Sequence, residues 1–226
     1  MNYYSQNGQD KYLDQHVFDK KESGWYLDIG AHDGISFSNT YFFEKQRHWK
    51  GVCIEANPIV FQDLIKNRNS NNIHCALRPS AGLNPFIYVE PPLEMLSGLE
   101  QFITDAQRAR IEKESSRFGV GFRTIEVPGK TFNEIKQESL PAKLDYCSID
   151  IEGGELDLLD MIGIGEIGAE VFSVENARQN GYKRQLLLRQ KFRQAGYTLI
   201  ERLGSDDLFR LHGKRKWYKM YLDWRP

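Results

Sequence analysis

The sequence lacks both long apolar runs and a surplus of charge of either sign. No stretch of about eighteen or more consecutive apolar residues occurs, and 30 Lys and Arg balance 31 Asp and Glu to a net charge of −1. A membrane-spanning helix needs such an apolar stretch, and nucleic-acid binding needs a basic surface. We therefore expect no membrane span and no nucleic-acid partner. Residues 1–5 also lack the basic and apolar segments of a signal peptide.

Cysteine is scarce as well. The chain has three cysteines, and Cys53 and Cys147 lie inside apolar segments that are typical of strands. Reduced thiols in the core explain this pattern better than disulfides or a zinc site, and a cytoplasmic location is the corresponding expectation. No internal repeat and no low-complexity linker divides the chain. We therefore expect a single domain over residues 1–226.

The chain is organised around residues 25–34, a short apolar run that ends in an acid and then glycines. This pattern predicts a buried parallel strand that runs into a turn and opens a helix. Gly30 and Gly34 permit backbone conformations and a close ligand approach that a Cβ atom would block. Asp28 would repel a pyrophosphate and attract a cationic sulfonium, so we predict S-adenosylmethionine as the ligand. A tight turn that binds no ligand is the alternative.

The next apolar segment, residues 51–55, predicts a second strand that ends in Glu55. An acid at the end of the second strand of a βαβ unit is placed to bind the ribose hydroxyls of a nucleoside. Residues 57–58 are Asn-Pro, which predicts the start of a helix with proline in its first turn. Residues 72–77 predict a short third strand whose end lies beside the adenine.

Residues 91–123 interrupt the alternation of strands and helices. They follow a predicted strand, residues 85–90, and contain a charged helix predicted over residues 100–116. An insertion after the third strand overhangs the carboxyl ends of the strands, where ligands bind in such sheets. We interpret it as a lid on the substrate side, and a surface helix without such a role is the alternative.

The densest group of acids lies in residues 150–155, where a predicted fourth strand, residues 143–150, runs into a Gly-Gly turn. Like charges repel, so three carboxylates here are expected to bind a cation, accept a proton or cap a helix. Glu155 falls in the first turn of the following helix, where dipole compensation explains it. Asp150 and Glu152 are the better candidates for catalysis.

A predicted fifth strand, residues 170–176, also ends in polar side chains, among them Glu175. Together with Asp150 and Glu152, Glu175 offers the oxygen ligands that hard divalent cations prefer. A Mg²⁺ or Mn²⁺ ion held by these three carboxylates is one hypothesis for how an acceptor hydroxyl is activated. A carboxylate base without metal is the other.

The remaining segments predict a helix over residues 181–195, a hairpin over residues 197–211 and a basic, aromatic tail over residues 212–226. The tail is interpreted as a docking surface, a segment packed across the domain or an oligomer contact such as a homodimer interface. The whole pattern predicts an α/β fold with a doubly wound, mostly parallel, seven-stranded Rossmann-like sheet and a terminal antiparallel hairpin. This is the architecture of class I S-adenosylmethionine-dependent methyltransferases.

Several motifs together make the chain resemble the FkbM-type methyltransferases over roughly residues 3–211. Each piece alone is common, whereas the combination is specific. The motifs are SQNGQD at residues 5–10, DIGAHDG at 28–34, Glu55 followed by Asn57-Pro58, SGL at 97–99, SIDIEGGE at 148–155 and SVEN at 173–176. Residues 75–78, at the end of the third strand, depart from the small polar or acidic residue that relatives commonly place there.

The resemblance implies an S-adenosylmethionine-dependent methyltransferase acting mostly on oxygen, with relatives that modify sugars, polyketides and lipids. It implies that residues 1–24 close over the cofactor, while residues 91–123 and the tail set the acceptor. Catalysis is assigned to Asp150 and Glu152, and the substrate to Ser97, Glu152 and Glu175. The expected cofactor-binding residues are Gln6, Gln9, Asp10, Asp28, Gly30, Ala31, Asp33, Gly34, Glu55, Ala56, Asn57, Ala76 and Asp150.

For the acceptor, we expect a carbohydrate hydroxyl, in a glycan or a deoxysugar, because the chain is neutral and shows no long apolar channel or basic patch. A polyketide or lipid hydroxyl is an alternative. A nucleoside-binding or regulatory module without chemistry is another. A nicotinamide oxidoreductase is disfavoured by Asp28 and by the absence of a G-x-G-x-x-G motif. The oligomeric state, and whether the chain is one domain of a longer protein, are left open by the sequence.

Overall fold

A computed structural model of the chain describes residues 2–177 and 181–212. The predicted tail therefore lies outside the described residues, except for His212. The eleven strands of the described ranges are β1 Trp25–Ile29, β2 Lys50–Glu55, β3 Asn71–His74, β4 Ala76–Leu77, β5 Gly82–Val89, β6 Gly98–Leu99, β7 Phe122–Lys130, β8 Leu144–Ile149, β9 Ala169–Glu175, β10 Tyr197–Leu203 and β11 Asp206–Leu211.

The same ranges contain eight α-helices. A single π-helical turn, Leu13–Val17, continues the first of them, and two 3₁₀ turns, Glu94–Leu96 and Glu100–Phe102, flank β6. None of these helices has the length and apolar character needed to cross a bilayer. The helices are α1 Gln9–Tyr12, α2 Tyr41–Arg47, α3 Pro58–Asn67, α4 Asp105–Phe118, α5 Phe132–Ser139, α6 Glu155–Ile162, α7 Ile164–Ile167 and α8 Tyr182–Gln194.

The predicted seven-stranded sheet is confirmed. Its order is β3-β2-β1-β8-β9-β11-β10, with the first five strands parallel and β11 antiparallel to both of its neighbours. Ile29 at the end of β1 lies opposite Ile54 in β2 and Ile149 in β8. The carboxyl ends of three strands therefore meet at one edge, which is where ligands bind in sheets of this kind.

Both faces of this sheet are covered by apolar side chains, as parallel sheets require. Leu27 of β1 packs into a cluster with residues of α5, α6 and α8. Tyr26, its neighbour along the strand, packs into a second cluster with α2 and the N-terminal segment. Gly51 makes room for the Tyr26 ring, since a Cβ atom at Gly51 would lie 2.1 Å from it. This packing holds the strand ends in place.

A second sheet, of order β4-β7-β5-β6, was not predicted from the sequence. The segment 72–77, predicted as one strand, is two: β3 ends at His74 in the large sheet, and β4 begins at Ala76 in the small one. The predicted strand 85–90 belongs to the longer β5, which pairs with β7 along its whole length. The interruption of the fold therefore begins near Ala76, earlier than the predicted residue 91.

The charged helix of the insertion also begins later than predicted, at Asp105. Thr104 accepts a hydrogen bond from the backbone N–H of Gln107, and the Gln107 side chain accepts one from the Thr104 N–H. Such a reciprocal pair fixes a helix start and keeps residues 100–103 out of the helix. Ile111 of α4 packs against Ile87 and Val89 of β5, which joins the helix to the small sheet.

Candidate active site

A cavity opens at the carboxyl ends of β1, β2 and β8, between the large sheet and the small one. It contains about 1080 Å³ of space that protein atoms leave empty, part of it open to solvent. The predicted site residues that line it are Asp28, Gly30, Ala31, Glu55, Ala56, Asn57, Ala76, Ser97, Asp150 and Glu152.

The turn after β1 depends on Gly30. Its φ is +86°, and a Cβ atom there would lie 1.7 Å from the carbonyl oxygen of Asp150. The backbone N–H groups of Gly30 and Ala31 both donate to the carbonyl of Ile54, at 2.9 and 3.1 Å. The turn is thus fixed against β2 and β8. The predicted helix does not open directly from it, because α2 begins only at Tyr41, where the Ser38 hydroxyl accepts the Tyr41 N–H.

Asp28 lies at this cavity wall but has partners within the protein. One carboxylate oxygen accepts a hydrogen bond of 2.5 Å from the Thr40 hydroxyl and lies 3.9 Å from the Arg68 guanidinium. Burial raises the pKa of the Asp28 carboxyl, against the opposing effect of Arg68. Its negative charge is therefore partly compensated by the protein. Asp28 fixes the loop after β1 in addition to facing the cavity.

Glu55, at the end of β2, is oriented by backbone donors. One carboxylate oxygen accepts the N–H of His32 at 2.8 Å, and the other accepts the N–H of Asn57 at 2.7 Å. Burial raises the pKa of the Glu55 carboxyl, while these N–H donors oppose the shift. Each oxygen keeps a second lone pair, so the carboxylate can still accept hydrogen bonds from a pair of ligand hydroxyls.

Buried polar atoms without a protein partner are concentrated at this cavity. Buried polar groups are almost always hydrogen-bonded, so a polar ligand or ordered water is expected to contact such atoms. Both ring nitrogens of His32, the Asn39 Oδ1, the Asn57 Nδ2 and the Glu94 Oε2 are buried and unpartnered, and all four residues line the cavity. Among the described residues, Ser115 carries the one such side-chain atom that lies elsewhere.

The acidic turn after β8 differs from the turn after β1. Asp150 and Glu152 both line the cavity, and within the described residues neither carboxylate accepts a protein hydrogen bond. Burial and the neighbouring Glu155 raise the pKa of Glu152 to about 7, and Arg110 and His32 oppose that shift. The Asp150 side chain faces the cavity. Its partial removal from bulk water, followed by repulsion from Glu175 and Glu152, raises its pKa well above the usual range. These two groups are free to interact with a ligand.

Glu155 lies in the first turn of α6, as predicted, but its side chain fixes the loop before the helix and does not cap it. One of its carboxylate oxygens accepts the backbone N–H groups of Ile151 and Gly153, at 3.1 and 3.0 Å. The side chain is only 2% exposed. Carboxylate oxygens of Asp150, Glu155 and Glu175 lie within 4.8 Å of one another, so Glu155 takes the place of Glu152 in the hypothetical cation-binding set.

Glu175 lies away from the main cavity. It lines a small separate cleft together with Glu155, Asn176 and Arg184. Burial, followed by repulsion from Glu155 and Glu152, raises the pKa of Glu175 to about 9. A carboxyl in this environment is largely protonated at neutral pH. Its assignment to the substrate stays a prediction.

The predicted N-terminal cofactor residues also lie outside the cavity lining. Asp10 is fully buried, and its carboxylate accepts the backbone N–H groups of Tyr4 and Ser5 and the Ser5 hydroxyl. Gln9 donates to Asp206 at 3.0 Å, and Gln6 is exposed.

Asp206 connects this N-terminal segment to the site, because it also accepts a hydrogen bond of 3.4 Å from the cavity residue Asn39. The N-terminal segment thus supports a loop of the cavity wall. Contact between Gln6, Gln9 or Asp10 and a cofactor stays a prediction.

Asp33 and Gly34 serve the shape of the first turn. The Asp33 carboxylate accepts the backbone N–H groups of Ile35 and Ser36, at 2.8 and 2.7 Å. Partial burial favours the neutral acid, but the His32 and Ser36 contacts outweigh it and lower the pKa of Asp33. A Cβ atom at Gly34 would lie 2.6 Å from the Arg68 side chain. Both residues lie outside the cavity lining, so their contact with a cofactor also stays a prediction.

The insertion completes the cavity by packing directly on the acidic turn. Gln107 of α4 donates to the Glu152 carbonyl at 2.7 Å. A Cβ atom at Gly153 would lie 2.5 Å from Gln107, and one at Gly154 would lie 2.5 Å from Phe102. The Gly-Gly turn is therefore required for close contact with the insertion. The insertion therefore lies at the carboxyl ends of the strands, and its role as a lid on the substrate side stays a prediction.

Sequence reasoning missed several cavity residues. His32 lies inside the first motif, and its φ of +51° is a left-handed conformation that is uncommon for histidine. Its position between Ala31 and Asp33 of the first motif could have marked it as a cavity residue. Asn39, Glu94 and Phe102 carry no spacing pattern that marks them, because their roles arise from long-range packing.

Comparisons with known proteins agree with this geometry. The family model for the methyltransferase FkbM domain matches residues 28–199, well over half of the chain. No curated protein matches the sequence. The crystal structure of methyltransferase FkbM from Methylobacillus flagellatus KT is similar with a TM-score of 0.52 and 13% identity, over 92% of this chain and 48% of that chain. This chain thus spans about half the length of that protein.

A second solved structure, a putative caffeoyl-CoA O-methyltransferase from Staphylococcus aureus, is similar with a TM-score of 0.50 and 13% identity. The match covers 94% of this chain and 86% of that chain. At such identities the likeness shows a common fold, the Rossmann-like methyltransferase fold predicted from the sequence. With the family model matched from Asp28 through the acidic turn, the chain belongs to the FkbM methyltransferase domain family.

Proposed function

We propose that the protein is an S-adenosylmethionine-dependent O-methyltransferase whose acceptor is a hydroxyl of a small molecule, a sugar by preference. The observation that carries this proposal is the cavity itself. The Glu55 carboxylate is oriented there by two backbone N–H groups and can still accept further hydrogen bonds. The unpartnered Asn57 Nδ2 and the His32 ring nitrogens belong to residues that line the same cavity. Two acids without protein partners, Asp150 and Glu152, line the cavity as well.

The residues present fit the cofactor. Glu55 would accept the ribose hydroxyls, and the unpartnered Asn57 Nδ2 would donate to the nucleoside. Ala56 and Ala76 give small apolar surface for the adenine. Gly30 lines the same cavity, and its lack of a Cβ atom lets the turn after β1 lie against the Asp150 carbonyl. S-adenosylmethionine, when bound, supplies an electrophilic methyl group on a sulfonium.

Glu152 is the proposed base. With a pKa of about 7, about half of the Glu152 side chains are deprotonated at neutral pH, and the carboxylate is basic enough to accept the proton of an acceptor hydroxyl. Asp150, two residues before Glu152 in the same turn, accepts a hydrogen bond from the acceptor and orients it. A positioned base contributes about 10²- to 10⁴-fold, whereas orientation contributes on the order of 7–11 kcal/mol of barrier lowering. Positioning by the cavity therefore dominates.

The base mechanism uses no divalent cation. Asp150, Glu155 and Glu175 place oxygens within 4.8 Å of one another, but one Glu155 oxygen already accepts two backbone N–H groups. Donors of this kind compete with a metal ion for the same lone pairs. A bound Mg²⁺ or Mn²⁺ is the second hypothesis, and removal of metal by a chelator separates the two.

The first experiment is calorimetric titration of the purified chain with S-adenosylmethionine and S-adenosylhomocysteine, with NAD as a comparison ligand. We expect micromolar binding of the first two that is lost in Glu55→Ala. Asp63→Ala is the matched control, because Asp63 is an exposed acid of α3 paired only with Lys66. Binding of NAD instead would indicate an oxidoreductase. No binding of any of the three would leave a module that keeps the fold without the chemistry.

A further inference from the structure

The charges that face the cavity are of one sign. Five acids line it, and within the described residues no Lys or Arg does. His32 is the one lining side chain that can carry a positive charge. Phosphorylated or carboxylated ligands are usually recognised by Arg, Lys or clusters of backbone N–H groups. This wall therefore repels an anionic acceptor and favours a cationic one. The five acids are Asp28, Glu55, Glu94, Asp150 and Glu152.

Two of these acids accept hydrogen bonds from the protein, and within the described residues three do not. Asp28 accepts from Thr40, and Glu55 accepts from two backbone N–H groups. Within the described ranges, Glu94, Asp150 and Glu152 accept no hydrogen bond through their carboxylates. The nearest ring nitrogen of His32 lies 3.9 Å from Glu94, beyond hydrogen-bonding distance.

The three free acids belong to the acceptor half of the cavity. Glu94 comes from the insertion, and Asp150 and Glu152 come from the acidic turn on which the insertion packs. The Asn39 Oδ1 adds a further acceptor, buried and unpartnered on the same wall. This half of the cavity offers hydrogen-bond acceptors in excess of donors, so its ligand must supply donors.

We propose that the natural acceptor carries a protonated amino group beside the hydroxyl that is methylated, and that the ammonium lies between Glu94 and the acidic turn. This inference rests on the proposed function and narrows its acceptor to amino sugars and related amino alcohols. An ammonium supplies three N–H donors and a positive charge, which match the carboxyl oxygens that Glu94, Asp150 and Glu152 turn to the cavity without a protein hydrogen bond. Repulsion among the acids is relieved when it binds.

The same arrangement explains why the methyl group goes to oxygen. An ammonium that is held by carboxylates has no lone pair and cannot attack a methyl group. The neighbouring hydroxyl keeps its lone pairs. In the transfer, a bond forms between that oxygen and the methyl carbon, the carbon–sulfur bond breaks with its electron pair left on sulfur, and the hydroxyl proton passes to Glu152.

The test measures binding of matched probes to the purified chain saturated with S-adenosylhomocysteine. The cationic probes are 2-amino-2-deoxyglucose and 2-deoxystreptamine, their N-acetylated forms are the neutral partners, and glucose 6-phosphate and glucuronic acid are the anions. We expect each amine to bind at least about tenfold tighter than its acetylated partner, and the anions not to bind. Equal binding within the pairs, tighter binding of an anion, or no binding of either amine at millimolar concentration would overturn the inference.

A pair of variants localises the effect. Glu94→Gln keeps the size of the side chain and removes its charge, and we expect it to weaken amine binding about tenfold, the loss of one charge-assisted contact. S-adenosylhomocysteine affinity should stay within about threefold. Glu100→Gln is the control, since Glu100 lies on the same insertion but pairs with Arg108 and does not line the cavity. Equal losses in both variants would count against the Glu94 subsite.

Failure of the proposed function can be told apart from failure of the proposed acceptor class. If the chain does not bind S-adenosylhomocysteine, the proposed function fails. If it binds the nucleoside and shows no preference for the amines, only the acceptor class fails, and the neutral sugar hydroxyl remains the expectation. Methylated nitrogen in the product would also contradict the inference, because it requires an amine that is neutral in the site.

Discussion

Two strand ends that look alike in the sequence behave differently in the structure. After β1 and β2, the carboxylates of Asp28 and Glu55 are met by a hydroxyl and by backbone N–H groups. After β8, the carboxylates of Asp150 and Glu152 accept no hydrogen bond from the described residues. The first pair shapes a rigid wall, and the second is left free for a ligand. The donors that surround an acid, and not its place at a strand end, decide its role.

The largest effect should come from breaking the contact between these two turns. Gly30→Ala would place a Cβ atom against the Asp150 carbonyl at a positive φ. We expect a loss of stability on the order of 2–4 kcal/mol and no detectable cofactor binding. Thermal unfolding and calorimetry measure the two effects. Gly165→Ala in α7 is the control, since a Cβ atom there meets no neighbouring atom within 4 Å, and equal stability of both variants would contradict the packing argument.

The next test separates a free acid from a committed one. Glu152→Gln should lower kcat by about 10²- to 10³-fold and leave cofactor affinity within about threefold, because the base is lost and the wall is kept. Glu155→Gln should instead lower the melting temperature, since an amide oxygen accepts the Ile151 and Gly153 N–H groups less strongly than a carboxylate does. If Glu152→Gln reduced cofactor affinity as much as kcat, its role as base would be wrong.

The protonation of the free acid should appear in the pH profile. A base must be deprotonated to accept a proton, and the pKa of Glu152 is about 7. We expect kcat/KM to rise about tenfold per unit below about pH 6 and to level off above about pH 8. The inflection should be absent from the residual activity of Glu152→Gln. A flat profile in the native protein would show that proton transfer is not part of the limiting step.

Glu175 offers an effect on stability. Its pKa is near 4.5 when unfolded and about 9 in the folded chain, so the folded state holds a proton that the unfolded state releases. Stability from this group is therefore complete below about pH 4.5 and declines as the pH rises towards 9. At about 1.4 kcal/mol per pKa unit, Glu175→Gln should be the more stable protein at pH 8 by several kcal/mol, with little difference near pH 4. Thermal unfolding at the two pH values measures this, and an equal difference at both would refute the linkage.

The smallest expected effect is that of metal removal. If Glu152 is the base, treatment with a chelator should leave turnover unchanged within error. Restoration of lost turnover by Mg²⁺ or Mn²⁺ would show instead that Asp150, Glu155 and Glu175 act as ligands. The chelated protein must be compared with one reloaded with metal, so that damage by the treatment is not mistaken for a requirement.

Local patterns were sufficient to predict the large sheet and its ligand-binding edge. The apolar runs that end at Asp28, Glu55 and Asp150 are β1, β2 and β8, and these residues line one cavity. The reason is physical, since a strand buried on both faces needs a short apolar run, and the glycines after β1 and β8 and the proline after β2 mark where those runs end. The place of Glu155 in the first turn of α6 was also predicted, whereas its hydrogen bonds to the Gly-Gly turn were not.

The small sheet and the finer site geometry could not be predicted in this way. β4 has only two residues, and its pairing with β7 joins segments some fifty residues apart, which no local pattern records. The unpaired state of Asn39 and Glu94 depends on which donors fold nearby. Asp10 shows the same limit, since a buried acid that folds its own loop and one that contacts a cofactor have the same sequence signature.

The parallel pairing of β4 with β7 has a consequence for how the protein could diversify. Ala76 lies opposite Gly129 and Leu77 opposite Lys130, so the insertion departs from the chain's main path and rejoins it at neighbouring positions. A segment whose two ends are adjacent can be replaced as a unit without altering the spacing of the strands in the large sheet. The cavity residues of this segment, Glu94 and Phe102, could therefore be exchanged together, while Gly30 and Glu55 at the edge of the large sheet stay in place.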